Sequence, residues 1–172
     1  MTVWGAYAAH VLAFTIMRIT ELRLSSRNLA RLRARGAREA AAGHFPWIVL
    51  LHVSYPVLLA WEIAAGARPR PEWPLWLAVW LGAQVLRWVS IHALGERWNT
   101  RIVVLPGEAR VRSGIYGWFP HPNYVAVVLE FIAAPLAFGA WRTALFCSAA
   151  NAMLMAIRIP AEERALREAE NG

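Results

Sequence analysis

Apolar residues along this chain gather into five blocks, at about 3–20, 45–65, 74–95, 121–138 and 141–159. Each is about as long as one helix that crosses a bilayer. Between the first two lies a polar stretch with Arg23, Arg27, Arg31, Arg33, Arg35 and Arg38. The short turn Arg68-Pro69-Arg70-Pro71 closes the second block. A longer mixed loop, about Glu96 to Pro120, holds Pro106-Gly107 and Ser113-Gly114, both turn chemistry. Pro122 is placed for a first helical turn, and Gly139-Ala140 makes a tight hairpin between the last two blocks. The charged tail from Pro160 onward reads as a short separate helix. The pattern predicts an all-α fold: a single-domain, polytopic membrane bundle of about five transmembrane helices with a short cytoplasmic C-terminal helix.

Composition supports the pattern. The 172 residues are 58% hydrophobic and 17% charged, with a mean hydropathy of +0.37. Soluble domains carry about a quarter charged residues, so a large soluble domain is excluded, and the Trp and aliphatic content excludes disorder. Basic residues outnumber acidic ones 18 to 11, and all are Arg. Nucleic acid is one partner for such a charge, but positive-inside topology explains it better. Six Arg fall in the first connection, two in the second, four in the third (Arg97, Arg101, Arg110, Arg112) and one in the fourth. This places the first and third connections and the tail in the cytoplasm, and the N-terminus outside. The first block reads as a retained span, since no basic segment precedes it and no small-residue cleavage site follows it. Arg used without Lys suggests a GC-rich bacterial genome, hence a bacterial inner membrane. Lone Cys147, in an apolar run, excludes an internal disulfide or a cysteine metal cluster.

Three polar residues interrupt the spans at one depth. Arg87, Glu130 and Asn151 each lie roughly 10–13 Å from the cytoplasmic end at 1.5 Å per residue. Charge inside hydrocarbon needs a partner or a role, so the three are expected to share a network at the floor of a pocket. His10, His52 and His92 lack metal-ligand spacing and read as core or interface residues, and His44 as interfacial; no metal site is expected.

The polar ends of the last two blocks carry the chemistry. One reads Arg112-Ser113-Gly114-Ile115-Tyr116-Gly117-Trp118-Phe119-Pro120-His121-Pro122-Asn123-Tyr124, the other Arg158-Ile159-Pro160-Ala161-Glu162-Glu163. A tight hairpin brings these ends together. An imidazole, phenols, an amide, a guanidinium and two carboxylates then surround one niche. A zwitterionic, partly aromatic ligand such as a charged nucleoside suits that set; an interfacial cap followed by a solvated tail suits it equally.

Gly114-x-Tyr116, His121-Pro122-Asn123-Tyr124, an apolar hairpin and Glu162-Glu163-x-x-Leu166 together resemble the isoprenylcysteine carboxyl methyltransferase family. The resemblance covers about Leu94 to Leu166. It is closest to short bacterial members, some associated with polyketide synthases and methylating lipidic pyrones or resorcinols. It implies S-adenosyl-L-methionine as cofactor and a lipophilic acceptor entering from the bilayer. Tyr116, His121, Pro122, Asn123, Tyr124, Arg158, Glu162 and Glu163 would bind the cofactor. Glu130, Arg87 and His121 are the catalytic candidates, Glu130 or His121 as a base and Arg87 as a holder of an anionic acceptor. The family usually has Arg before its His-Pro, where Pro120 stands here, so Arg112 or Arg158 is expected to replace that contact. A phospholipid N-methyltransferase and a non-catalytic membrane scaffold are the alternatives.

Overall fold

The computed structural model describes residues 2–171. Five helices account for most of it: α1 Val3–Ala34, α2 Phe45–Ala64, α3 Trp73–Leu94, α4 Pro122–Ala137 and α5 Trp141–Asn171. Two three-residue strands, β1 Arg38–Ala40 and β2 Ile102–Val104, pair antiparallel, with Glu39 opposite Val103. The all-α membrane bundle stands. α2, α3 and α5 are long and apolar enough to cross a bilayer, and α4 is an apolar helix of 16 residues.

Two boundaries differ from expectation. The Arg-rich segment after the first block is mostly helix, because α1 continues to Ala34. Its polar half is held by a buried stripe, Glu21, Ser25, Asn28 and Leu32, spaced 4-3-4 on one face. Ser25 Oγ donates to Asn99 Oδ1 at 2.8 Å and accepts from the Thr100 amide at 3.1 Å. Asn28 Nδ2 donates to the carbonyls of Gly95 (3.1 Å) and Trp98 (2.7 Å). The C-terminal tail is likewise not a separate helix: α5 runs unbroken for 31 residues through Pro160.

The core is a helix-spaced ladder. Leu51, Tyr55, Leu59 and Ile63 of α2 meet Val127, Phe131 and Ala134 of α4 and Phe138 just after it, with Phe14 and Cys147 beside them. Ala83, Ala126, Ala133 and Ala144 are buried where α3, α4 and α5 approach closely, the small-residue packing favoured when lipid supplies no hydrophobic drive between helices. Large apolar side chains such as Val53, Val57, Val85, Leu145, Phe146 and Ile157 point outward, as a surface facing hydrocarbon requires.

Two contacts fix the α4–α5 hairpin. Gly139 adopts φ +72°, and a Cβ there would stand 2.0 Å from the Arg68 carbonyl oxygen, so no other residue fits. Buried Glu62 of α2 accepts from the amides of Arg142 (3.0 Å) and Thr143 (2.7 Å) and from the Thr143 hydroxyl (2.7 Å). It thereby satisfies donors at the start of α5 that have no partner within the helix. Pinned at this end, the hairpin brings the opposite ends of α4 and α5 together.

Candidate active site

The start of α4 and the last third of α5 meet as the hairpin predicts. Pro122 at the first helical position leaves His121 just outside the helix and Tyr124 in its first turn, on the face toward α5. His121 Nε2 lies 3.0 Å from Glu163 Oε1, and its Nδ1 3.9 Å from Glu162 Oε2. The Tyr124 hydroxyl donates to Glu162 and accepts from Arg158 Nε at 2.8 Å. The imidazole stacks on the Tyr124 ring, centroids 5.2 Å apart. Arg158 also donates to the Thr100 carbonyl at 2.7 Å, tying α5 to the segment after α3.

Arg110, which the motif did not single out, completes this cluster. It donates to Glu163 Oε2 at 2.7 Å, and its amide donates to Glu170 at 2.9 Å. Burial pushes the Glu163 carboxyl upward, but the Arg110 hydrogen bond and charge, with His121, outweigh it and hold the group below the usual carboxylate range. Burial, and then Glu162, push the Tyr116 phenol up, keeping it a neutral donor. His44, beside Arg158, is lowered by burial and by that guanidinium, so it stays neutral. Gly117 is packed against the Arg112 carbonyl, 2.9 Å from a would-be Cβ, which folds the segment before α4 back on itself.

Three spaces adjoin these residues. A cavity of about 410 Å³ at the polar end is lined by Arg97, Arg110, Arg112, Tyr116, Trp118 and Glu162, among others. A chamber of about 130 Å³ lies deeper and shares Tyr116, Pro120, His121 and Glu162 with it. Arg87, Asn123, Tyr124, Asn151 and Arg158 also line that chamber. An apolar groove of about 350 Å³ between α1 and α2 shares Arg18, Glu21, Ile48, His52 and Thr100 with the chamber.

Arg87 and Glu130 form a buried ion pair. Gln84 donates to the second Glu130 oxygen at 2.9 Å, and Arg18 bridges Glu21 (2.8 Å) and Glu130 (3.5 Å). Asn151 lies on the same chamber but bonds to neither Arg87 nor Glu130; its Nδ2 has no partner. The expected triad is thus a pair extended by Arg18, Glu21 and Gln84. Glu130 stands behind Arg87, outside the chamber lining. Removing one member of such a pair costs about 3–5 kcal/mol. Charged residues at 18 and 21, within one turn of each other, were the available sequence signal, and their place at the edge of the first block obscured it.

A family model described as "Isoprenylcysteine carboxyl methyltransferase (ICMT) family" matches residues 76–168, more than half of the chain. The chain belongs to this family. The match begins in α3 and ends near the close of α5, so it contains every motif residue at the neck of the site and leaves α1 and α2 outside. Methyltransferase chemistry at a membrane follows from the family. The chain is 35% identical to the uncharacterized protein YpbQ of Bacillus subtilis, over 89% of this chain and 92% of that one. It is 27% identical to an uncharacterized protein of Haemophilus influenzae, over 87% and 88% of the two chains. No solved structure matches it.

Proposed function

We propose that the protein is an S-adenosylmethionine-dependent O-methyltransferase of the bacterial inner membrane. Its acceptor is lipophilic: a prenylcysteine-like carboxylate or the hydroxyl of an alkylpyrone or alkylresorcinol. One observation carries this reading. His121, Tyr124 and Arg158 meet the Glu162–Glu163 pair at the neck between a polar cavity and a chamber that adjoins an apolar groove.

The residues present fit the cofactor. The larger cavity combines Tyr116 and Trp118 for a purine face, carboxylates for an ammonium or ribose, and Arg112 for a carboxylate. In the adjoining chamber, Asn123 has a buried Oδ1 without a protein partner. Of Arg112 and Arg158, the two candidates to replace the guanidinium that Pro120 does not provide, Arg112 lines the larger cavity. When bound, the cofactor would supply an electrophilic sulfonium methyl for transfer to an acceptor oxygen.

The chain's part is binding, orientation and exclusion of water, which together supply several kcal/mol of such a barrier. Arg158 and Glu162 fix Tyr124 from two sides, so the neck is preorganised. Arg87 presents its guanidinium to the chamber while Glu130, itself held by Gln84, fixes it in place, which makes Glu130 a positioning residue. An already ionised acceptor needs no base; for a phenol, with a pKa near 10, His121 at the neck is the base available. The chamber's unpartnered donors, Arg87 Nε and Asn151 Nδ2, match an acceptor oxygen.

Titration of the purified protein with S-adenosylhomocysteine should show saturable binding. Incubation with labelled donor and a lipid extract, followed by mass spectrometry, should yield an O-methylated lipid. Absence of binding would leave the scaffold alternative, and label on phosphatidylethanolamine would assign an N-methyltransferase.

A further inference from the structure

The second half of α1 lies outside the family match, yet its buried face holds the segment that borders the neck. Residues 98–101, between α3 and β2, form neither helix nor strand, so no ladder of backbone bonds sets the direction of their carbonyls. α1 sets it instead. The Ser25 hydroxyl donates to Asn99 Oδ1 at 2.8 Å, accepts from the Thr100 amide at 3.1 Å and lies 2.9 Å from the Thr100 hydroxyl. Its one donor and two acceptor sites are thereby all used. Asn99 Nδ2 returns a bond to the Ser25 carbonyl at 3.1 Å, and Asn28, one turn on, holds the carbonyls of Gly95 and Trp98. Both Ser25 and Asn28 are buried.

The carbonyl that this clasp aims at the neck is that of Thr100. It accepts from Arg158 Nη2 at 2.7 Å, while Arg158 Nε donates to the Tyr124 hydroxyl at 2.8 Å. The Tyr124 hydroxyl in turn donates to Glu162. Arg158 is 6% exposed, and a guanidinium so buried is ordinarily fixed by a carboxylate. Glu162 and Glu163 pair instead with His121, Arg110 and Arg167, and among the described residues no carboxylate pairs with Arg158. Its two short hydrogen bonds, both to neutral oxygens, therefore set its orientation. A rigid planar fork passes any turn of the Thr100 carbonyl on to Tyr124.

We infer that Ser25 and Asn28 are positioning residues of the cofactor site: they fix segment 95–101 against α1, and the Thr100 carbonyl thereby orients Arg158 and, through it, Tyr124. This rests on the methyltransferase reading, which makes Arg158 and Tyr124 part of that site. The polar half of α1 then sets the geometry of a site built by α4 and α5. Coupling of this kind is reciprocal, so a ligand that tightens on Arg158 and Tyr124 also steadies residues 95–101.

The test uses the full-length protein in nanodiscs, with S-adenosylhomocysteine as the probe. Ser25→Ala and Asn28→Ala should each weaken binding about fivefold or more, the loss expected from one hydrogen bond. Ser26→Ala is the control: its hydroxyl bonds the Leu22 carbonyl of its own helix, and binding should stay within about twofold. In an Arg158→Lys background, which keeps the charge and loses the two-pronged grip, Ser25→Ala should add less than about twofold. Hydrogen exchange gives an independent reading. The probe should slow exchange in peptides covering residues 98–102 of the wild type and lose that effect in Ser25→Ala. Penalties that multiply in the double variant, a Ser25→Ala protein that melts lower yet binds as the wild type does, or exchange at 98–102 that ignores bound probe would each overturn the inference. Wild-type protein that binds no S-adenosylhomocysteine would instead overturn the methyltransferase reading, and this role with it.

Discussion

Glu163 is gripped by two cationic or hydrogen-bonding partners, Arg110 at 2.7 Å and His121 at 3.0 Å, and Arg167 stands 3.7 Å away. With its acidity raised in the folded state, this carboxyl binds a proton less readily than in the unfolded chain. Its stabilisation is therefore fully present above the unfolded carboxyl pKa of about 4.3, and it fades as pH falls through the lower folded value. Glu163→Gln should lower stability by about 0.5–1 kcal/mol, because the site is partly solvated, and weaken S-adenosylhomocysteine binding at least tenfold. The gap in melting temperature between wild type and variant should be constant from pH 7.5 to about 5 and close below about 4. Thermal melts in detergent across that range check it; a gap that widens on acidification would contradict the sign.

Among the helices, the junction of α4 and α5 is the most exacting. Gly139→Ala places a methyl group into the Arg68 carbonyl and forces a left-handed φ on an L side chain. The loss should be about 2–4 kcal/mol. Gly82→Ala is the matched control: nothing lies within 4 Å of its would-be Cβ, and it sits inside α3. There the substitution should be neutral or stabilise by up to about 1 kcal/mol. Thermal unfolding of both in one detergent decides the contrast. The Gly139 turn and the His121–Tyr124 and Glu162–Glu163 motifs were legible in the chain, because each is a local pattern placed by a hairpin with a connection of only three residues. The second half of α1 was not. Its buried Glu21, Ser25 and Asn28 are polar and lie among arginines, so hydropathy reads the segment as solvent-exposed, while the partners that bury two of them are backbone carbonyls and amides more than sixty residues away. The ribbon of β1 and β2 is three residues per strand, too short for any alternation to register. Asn151 was placed on the right wall by depth, but depth gives no rotation about the helix axis, and its amide bonds to neither Arg87 nor Glu130.

Across the whole molecule, charge is distributed from end to end. Of the eighteen arginines, Arg68, Arg70 and Arg142 lie near the Gly139 turn, and most others gather at the opposite end with the cavity. From this distribution the positive-inside rule predicts a cytoplasmic cavity. Green fluorescent protein fused after the last residue should fluoresce, and alkaline phosphatase there should be inactive; the same reporters inserted at Gly66 should give the reverse. Activity of phosphatase at the C-terminus would invert the assignment. α5 links the two ends: it begins on Glu62 and carries Asn151, Arg158, Glu162 and Glu163 without a break. It acts as a crankshaft keyed at one bearing. An extra residue anywhere between Thr143 and Asn151 would turn every later side chain by about 100°, swinging the carboxylates off the neck while leaving insertion into the bilayer untouched. The phase of a rod anchored at one membrane surface thus sets the chemistry at the other.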